Sequence, residues 1–276
     1  MKKDDLVRLR HWFVGYCRSF QTLTDDDRQP YLIKEAHTQR VCANMSRLTE
    51  SLALDENDKL IAEAVALCHD VGRFPQYRQY RTFRDTDSVN HGAMGAQILA
   101  AERALDHLPY AERTVIPQTV ALHNMFQLPE KLDDRTLFFA RLVRDADKLD
   151  IWRLFIEYYA QPEVERTSAV GLGLPDLPDR SAEVLACLER GEMVRLVMLK
   201  TLTDFKLLQL SWIFDLNFDE SFRMIEDRDY IGRVAATLPS DPGIDQALRT
   251  VREYVARRLA GSPTARSMTA PANFAL

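Results

Sequence analysis

Apolar residues recur along most of the chain at intervals of three and four, which is the spacing of one face of an α-helix. In the segment that begins at Pro30, four residues at four-residue steps share such a face: Ile33, His37, Val41 and Met45. No segment alternates in the manner of a strand hairpin, and glycine is scarce. The pattern predicts an all-α fold, with helices over about 4–22, 30–54, 56–70, 88–105, 112–125, 133–159, 181–190, 192–215, 219–236 and 243–260.

The breaks in this pattern predict the domain organisation. Residues 161–180 hold three prolines and two glycines, so they are linker-like and separate a helical core over 1–160 from C-terminal helices over 181–260. We expect those helices to pack on the core and 261–276 to form a flexible tail. Residues 73–90 are polar, aromatic and basic without clear periodicity, which favours a long loop that covers a site.

Composition narrows the class of protein. Hydrophobic residues make up 46% and charged residues 28%, as in globular proteins. The net charge of −5 and the lack of a Lys/Arg block argue against a stable nucleic-acid complex. Four scattered cysteines favour reduced thiols over a disulfide framework. Without a secretory signal or a long apolar stretch, the sequence predicts a cytoplasmic protein with no membrane partner.

Six residues that could ligate a divalent metal follow one another in the order H, HD, H, H, D. They include four of the six histidines of the chain. Neutral imidazoles and carboxylates are ligands that first-row divalent metals take. Helices packed side by side can direct such residues into one interior, as in bundle metal sites. The candidate ligands are His37, His69, Asp70, His91, His123 and Asp147.

Taken singly, each candidate has an ordinary structural interpretation. A histidine on an apolar face is usually a hydrogen-bonded core residue, and one at a helix end can interact with the macrodipole. Asp147 could be a surface charge, and Asp145 competes with it for the last position. We interpret the two remaining histidines, His11 and His107, as ordinary structural residues and not as metal ligands. Taken together and in order, the six residues favour one metal site.

The ordered set resembles the HD-domain superfamily of metal-dependent phosphohydrolases. The resemblance covers about residues 30–155 and implies an HD-domain helical bundle, to which the later helices form a C-terminal extension. Residues 160–276 carry no part of it. The matching phrases are HTQRV at His37, ALCHDVGRF at His69 and Asp70, NHGAMGAQIL at His91, LHN at His123 and RDADKLD around Asp147.

The resemblance implies two groups of metal ligands. The first-metal group is His37, His69, Asp70 and Asp147, and the second-metal group is His91 and His123. Asp70 would bridge the two ions and is the implied catalytic residue. Asp147 is preferred to Asp145 because it completes the Ala-Asp step of the family.

Two features depart from particular branches of the family. Asn124 follows His123 where some two-metal members have a second histidine, so coordination of the second ion is expected to be thinner. The Gly-Tyr-Pro signature of the branch that degrades cyclic-di-GMP is absent. That substrate is therefore not expected.

The implied activity is hydrolysis of a nucleotide or other small phosphoester by a hydroxide that the metal activates. The expected cofactor is a divalent metal, Fe, Mn, Ni, Zn or Mg, bound as two ions. Arg73, Arg40 and Lys148 lie near proposed ligands in sequence and are candidate substrate-binding residues, with a solvated arginine as the alternative for Arg73. Two other functions stay open: a di-iron oxygenase of the same superfamily and a noncatalytic metal-binding signalling module. A homo-oligomer is also left open.

Overall fold

The computed structural model describes residues 1–20, 25–161 and 173–261. Throughout these ranges the regular structure is helical, without a strand, and the prediction of an all-α fold is confirmed. The α-helices are α1 (Lys3–Arg18), α2 (Asp25–Ser51), α3 (Glu56–Cys68), α4 (Arg73–Tyr80), α5 (His91–Ala101), α6 (Tyr110–Leu122), α7 (Asp134–Ala160), α8 (Ala182–Arg190), α9 (Leu202–Ser211), α10 (Asp219–Asp227), α11 (Tyr230–Ala235) and α12 (Pro242–Ala260). Short 3-10 turns occur at Asp85–Asp87, Leu196–Met198 and Trp212–Asp215.

The chain divides into two compact units, and the division falls inside α7. The first unit runs from Met1 to Asp147, and the described part of the second runs from Lys148 to Gly261. Most of the predicted linker, 162–172, and almost all of the predicted tail lie outside the described residues. The predicted domain limits therefore stay a prediction. In the described part of the chain, no helix has both the length and the apolar character needed to cross a bilayer.

The first unit depends on close approaches between helices at small residues. A Cβ atom on Gly92 of α5 would lie 2.9 Å from the carbonyl oxygen of Val120 in α6, and one on Gly95 would lie 3.1 Å from the Val120 side chain. A Cβ atom on Gly72, the residue before α4, would lie 2.1 Å from the carbonyl oxygen of His91. The starts of α4 and α5 and the end of α6 are thereby held together.

The prediction of one long loop over 73–90 was wrong at its start, where α4 forms. This helix has only eight residues, too few for a periodic pattern to be recognised. Its Phe74 is buried among aromatic rings, 6.4 Å from Phe13 and 6.0 Å from Tyr31 between centroids. Tertiary packing therefore supports a helix that the local pattern does not indicate. Pro30, expected in the first turn of α2, lies inside it, because the helix begins at Asp25.

In the second unit, two predicted helices are interrupted. Asp229 adopts a left-handed conformation at φ 47°, which ends α10 and starts α11 inside the predicted helix 219–236. The predicted helix 192–215 is reduced to α9 with a 3-10 turn on either side. The side chain of Thr201 caps α9 by accepting a hydrogen bond from the backbone of Asp204. Both breaks depend on single backbone positions, which hydrophobic periodicity does not report.

Gly72→Ala tests the close approach between α4 and α5. We expect the variant to lose about 1–3 kcal/mol of unfolding free energy, because the new methyl group meets backbone atoms that cannot rotate away. Gly15→Ala is the matched control. A Cβ atom there meets nothing within 4 Å, and alanine in a helix should add about 0.5–1 kcal/mol. Urea unfolding followed by circular dichroism measures both. Equal stability of Gly72→Ala and the parent would show that the approach is looser than described.

Candidate metal centre

The six predicted ligands all lie in the first unit, where five helices position them. The four histidines and Asp70 are at most 4% exposed, and the side chain of Asp147 is 17% exposed. They are placed as follows: His37 in α2, His69 and Asp70 directly after α3, His91 at the first position of α5, His123 directly after α6, and Asp147 within α7.

The imidazole rings meet in two pairs. The Nε2 atoms of His37 and His69 are 3.3 Å apart, and those of His91 and His123 are 3.0 Å apart. Asp147 joins the first pair, with Oδ1 at 3.0 Å from Nε2 of His37. Its neighbour Asp145, the rival in the sequence, is fully buried but belongs to none of the potential metal-binding groups found among the described residues.

Asp70 lies between the two pairs and presents one oxygen to each. Its Oδ2 is 3.5 Å from Nε2 of His37 and 3.7 Å from Nε2 of His69. Its Oδ1 is 3.3 Å from Nε2 of His91 and 3.8 Å from Nε2 of His123. The carboxylate therefore has the position of a bridge between two histidine pairs.

The outer nitrogens of three rings fix their tautomers. Nδ1 of His69 donates to the carbonyl of Ala66, and Nδ1 of His123 donates to the carbonyl of Val120, each at 2.7 Å. Nδ1 of His91 lies 2.7 Å from a carboxylate oxygen of Asp85. A carbonyl or carboxylate can only accept, so the proton is on Nδ1. In the neutral rings, Nε2 then carries a lone pair directed into the centre.

This donor set fits a metal ion. The Nε2 lone pairs of His91 and His123 face each other at 3.0 Å beside the carboxylate of Asp70, and they repel unless a cation lies among them. The possible ligand atoms form three groups within each of which all atoms lie within 4.8 Å of one another: His37, His69 and Asp70; His69, His123 and Asp147; and Asp70, His91 and His123. Mixed imidazole and carboxylate donors suit iron, zinc, nickel or manganese.

Electrostatics keep the donors in the form that binds metal. Burial, together with the nearby rings of His91 and His69, lowers the pKa of His123 to about 3. Burial likewise lowers the pKa of His69. Burial alone would raise the pKa of Asp70, but Lys34 and the surrounding histidines outweigh it and hold that pKa well below its usual value. At neutral pH His69 and His123 are therefore neutral, and Asp70 is ionised.

Asp85 is a residue of the centre that the sequence did not indicate. Besides His91, it accepts hydrogen bonds from Gln76 at 2.8 Å, from Asn124 at 2.7 Å and from Arg73 at 3.0 Å. Asp85 lies in the stretch predicted to be loop, where no spacing links it to His91. Asn124, the departure from the two-metal pattern, here donates to the carboxylate that orients His91.

Lys34 was also missed. Its Nζ lies 2.7 Å from Oδ2 of Asp70 and 5.4 Å from the ring centroid of Phe83. It precedes His37 by three residues on α2, a spacing that places two residues on one helix face. That spacing was the available signal.

The predicted substrate-binding residues differ in their surroundings. Arg73 is engaged within the protein, because its Nη1 donates to Gln76 at 3.0 Å, to Asp85 and to the carbonyl of Phe83, and its Nε is 3.5 Å from Oδ1 of Asp70. Arg40 is half-buried on α2, one turn after His37. Lys148 belongs to the second unit, where it pairs with Asp215 at 2.7 Å.

Comparison with known families agrees with this geometry. Residues 35–152 match the model of the HD domain, a segment that contains all six candidate ligands and less than half of the chain. No curated protein and no solved structure matches. The match at residues 35–152 is consistent with the HD-domain superfamily that the order of the motifs predicted.

Asp85→Ala tests the role of the carboxylate behind His91. Without its acceptor, the ring loses its fixed tautomer and orientation, and we expect metal affinity to fall by about 10–100-fold. Asp87→Ala is the matched control, since Asp87 is in the same 3-10 turn but 48% exposed and paired with Arg84. Titration of the metal-free protein with Mn²⁺ gives the comparison. Equal affinities in the two variants would remove Asp85 from the centre.

Proposed function

We propose that this protein is a metal-dependent phosphohydrolase that acts on a nucleotide or another small phosphoester. The observation that carries the proposal is the placement of Asp70, buried in an HD domain with one oxygen toward each of two histidine pairs. Divalent metals held by such donors are a recurrent basis of phosphoester hydrolysis. A bound divalent ion supplies positive charge for the phosphoryl oxygens and lowers the pKa of its water toward about 7.

The residues of the chain hold and orient the reacting groups in this proposal. His37, His69 and Asp147 fix one side of the centre, and Asp70 spans it. Water is the proposed nucleophile. Cys68, the thiol next to His69 in sequence, is fully buried, and burial raises its pKa, so that it remains a poor nucleophile.

We further propose two ions per chain. His91 and His123 are buried, and both direct Nε2 toward Oδ1 of Asp70. A single ion bound at His37, His69, Asp70 and Asp147 leaves these two lone pairs facing each other without a cation. A second ion satisfies both.

Charge near the centre favours a small anionic substrate. Arg40 lies one turn after His37 on α2, and Arg73 lies beside Asp70. Because three acceptors hold Nη1 of Arg73, we assign to Arg73 the positioning of Asp70 and Asp85 in addition to substrate binding. Lys148 contributes less to the proposed substrate binding, since its ammonium pairs with Asp215.

A di-iron oxygenase is the second candidate function. Four imidazoles and two carboxylates form a nitrogen-rich donor set, which iron also takes. A coloured iron form that consumes oxygen and releases no phosphate would favour the oxygenase. Metal binding without turnover of either kind would favour a signalling module.

Asp70→Asn tests the proposed activity. We expect the metal-replete parent to release phosphate from members of a nucleotide and phosphoester panel, and the variant to lose bound metal and phosphate release together, because the neutral amide replaces the bridging charge. Asp106→Asn changes an exposed aspartate that pairs with Arg103 and should leave both unchanged. Full phosphate release by Asp70→Asn would rule out the proposed role of Asp70.

His91→Ala and His123→Ala test the second ion. Metal analysis of protein saturated with manganese or iron should give near two ions per chain in the parent and near one in either variant. His107→Ala is the control, because Nε2 of His107 faces the carbonyl of Asp5, outside the centre. One ion per chain in the saturated parent would contradict the two-ion proposal.

A further inference from the structure

Lys34 is the cation closest to the bridging carboxylate among the contacts described for Asp70. Its Nζ lies 2.7 Å from Oδ2, and its side chain is 16% exposed against 3% for Asp70. The ammonium therefore lies between the buried carboxylate and the solvent. Its other described contact is the face of the Phe83 ring.

The pairing of Lys34 with Oδ2 conflicts with metal binding. Oδ2 is the oxygen that faces both His37 and His69, so an ion held by these residues uses the same atom. A divalent cation and an ammonium would then share one carboxylate oxygen, and their like charges repel. Binding of the ion must weaken the Lys34–Asp70 contact.

Lys34 can move, whereas Arg73 is fixed. Several acceptors hold the guanidinium of Arg73. Lys34 has a flexible four-carbon stem and only Asp70 as a charged partner among its described contacts. The Phe83 ring, 5.4 Å from Nζ, would retain the ammonium at the rim through a cation–π contact.

From these contacts we propose that Lys34 is the phosphate-binding cation of this centre, held by Asp70 until metal binds and then released to the substrate oxyanion. The proposal rests on the proposed phosphohydrolase function and names its ligand chemistry: a phosphate or phosphoester dianion, bound beside the metal. The state of the Lys34 ammonium therefore depends on metal binding, because the ammonium becomes available to the anion only when a metal ion occupies Oδ2 of Asp70.

Two binding measurements without turnover test the proposal. Calorimetric titration of the metal-free full chain with Mn²⁺ gives metal affinity, and titration of the Mn²⁺-loaded chain with inorganic phosphate gives anion affinity. Lys34→Met keeps the stem and removes the charge. We expect it to bind Mn²⁺ more tightly, on the order of tenfold, because repulsion at Oδ2 is relieved. It should bind phosphate about ten- to a hundredfold more weakly, because a charge-assisted hydrogen bond is lost.

Thermodynamic linkage between Mn²⁺ binding and phosphate binding distinguishes the proposed role of Lys34 from a merely structural one. In the parent, phosphate should tighten Mn²⁺ binding, since it stabilises the ammonium away from Asp70, and by reciprocity Mn²⁺ should tighten phosphate binding. Lys34→Arg should keep most of this coupling, and Lys34→Met should lose it. Lys3→Met is the control, because Lys3 is an exposed lysine that pairs with the exposed Glu56, and it should behave as the parent.

The outcomes distinguish this inference from the proposed function. Unchanged or weakened Mn²⁺ binding in Lys34→Met, or unchanged phosphate binding, overturns the role of Lys34 even if the parent hydrolyses phosphoesters. Tighter Mn²⁺ binding with weaker phosphate binding supports it, even if no phosphoester in the panel is hydrolysed and the proposed activity fails.

Discussion

The charge on the buried carboxylate of Asp70 is the constraint on which the centre depends. A carboxylate that is 3% exposed is stable only when cations or hydrogen-bond donors surround it. These partners come from separate parts of the chain: Lys34 from α2, Arg73 from the start of α4 and His91 from the start of α5. These three helices are thereby bound to one position, and the same arrangement leaves two oxygens directed at two imidazole pairs.

Such convergence requires helices that approach closely, and glycine provides the space. The carbonyl of His91 would lie 2.1 Å from a Cβ atom on Gly72, and Gly92 and Gly95 meet the backbone and side chain of Val120. His91 and His123 lie at the adjacent ends of α5 and α6, and their Nε2 atoms are therefore only 3.0 Å apart. Side chains at these glycines would separate the rings and lose the second histidine pair. These glycines therefore affect the centre indirectly, by permitting a short distance between the helices that carry its side chains.

The sequence indicated the histidines and aspartates that cluster in the centre better than the residues that support them, for a physical reason. Metal ligands are restricted to a few residue types and must face inward, so His37 is recognisable on an apolar stripe. No comparable pattern in the sequence distinguishes Asp85. It reaches His91 only because α4 and the turn after it fold back, and α4 is too short to show periodicity. Lys34 could have been found by its three-residue spacing from His37, but its partner Asp70 is set by tertiary contact alone.

The two halves of the centre differ in the negative charge that they present. We expect this difference to set the order of their affinities for a divalent metal. The half with His37 and His69 receives Asp147 as well as Oδ2 of Asp70. In the half with His91 and His123, both rings share Asp70 as a carboxylate donor, while Asp147 forms a potential metal-binding group with His123 and His69 but not with His91. Asp85 lies behind His91 and acts through its ring. Divalent cations bind more tightly where more negative charge is in direct contact. On the two-ion proposal, the first half fills first, so the ammonium of Lys34 is displaced before the second half is occupied. On that proposal, the order of loading follows from how the chain distributes its three carboxylates.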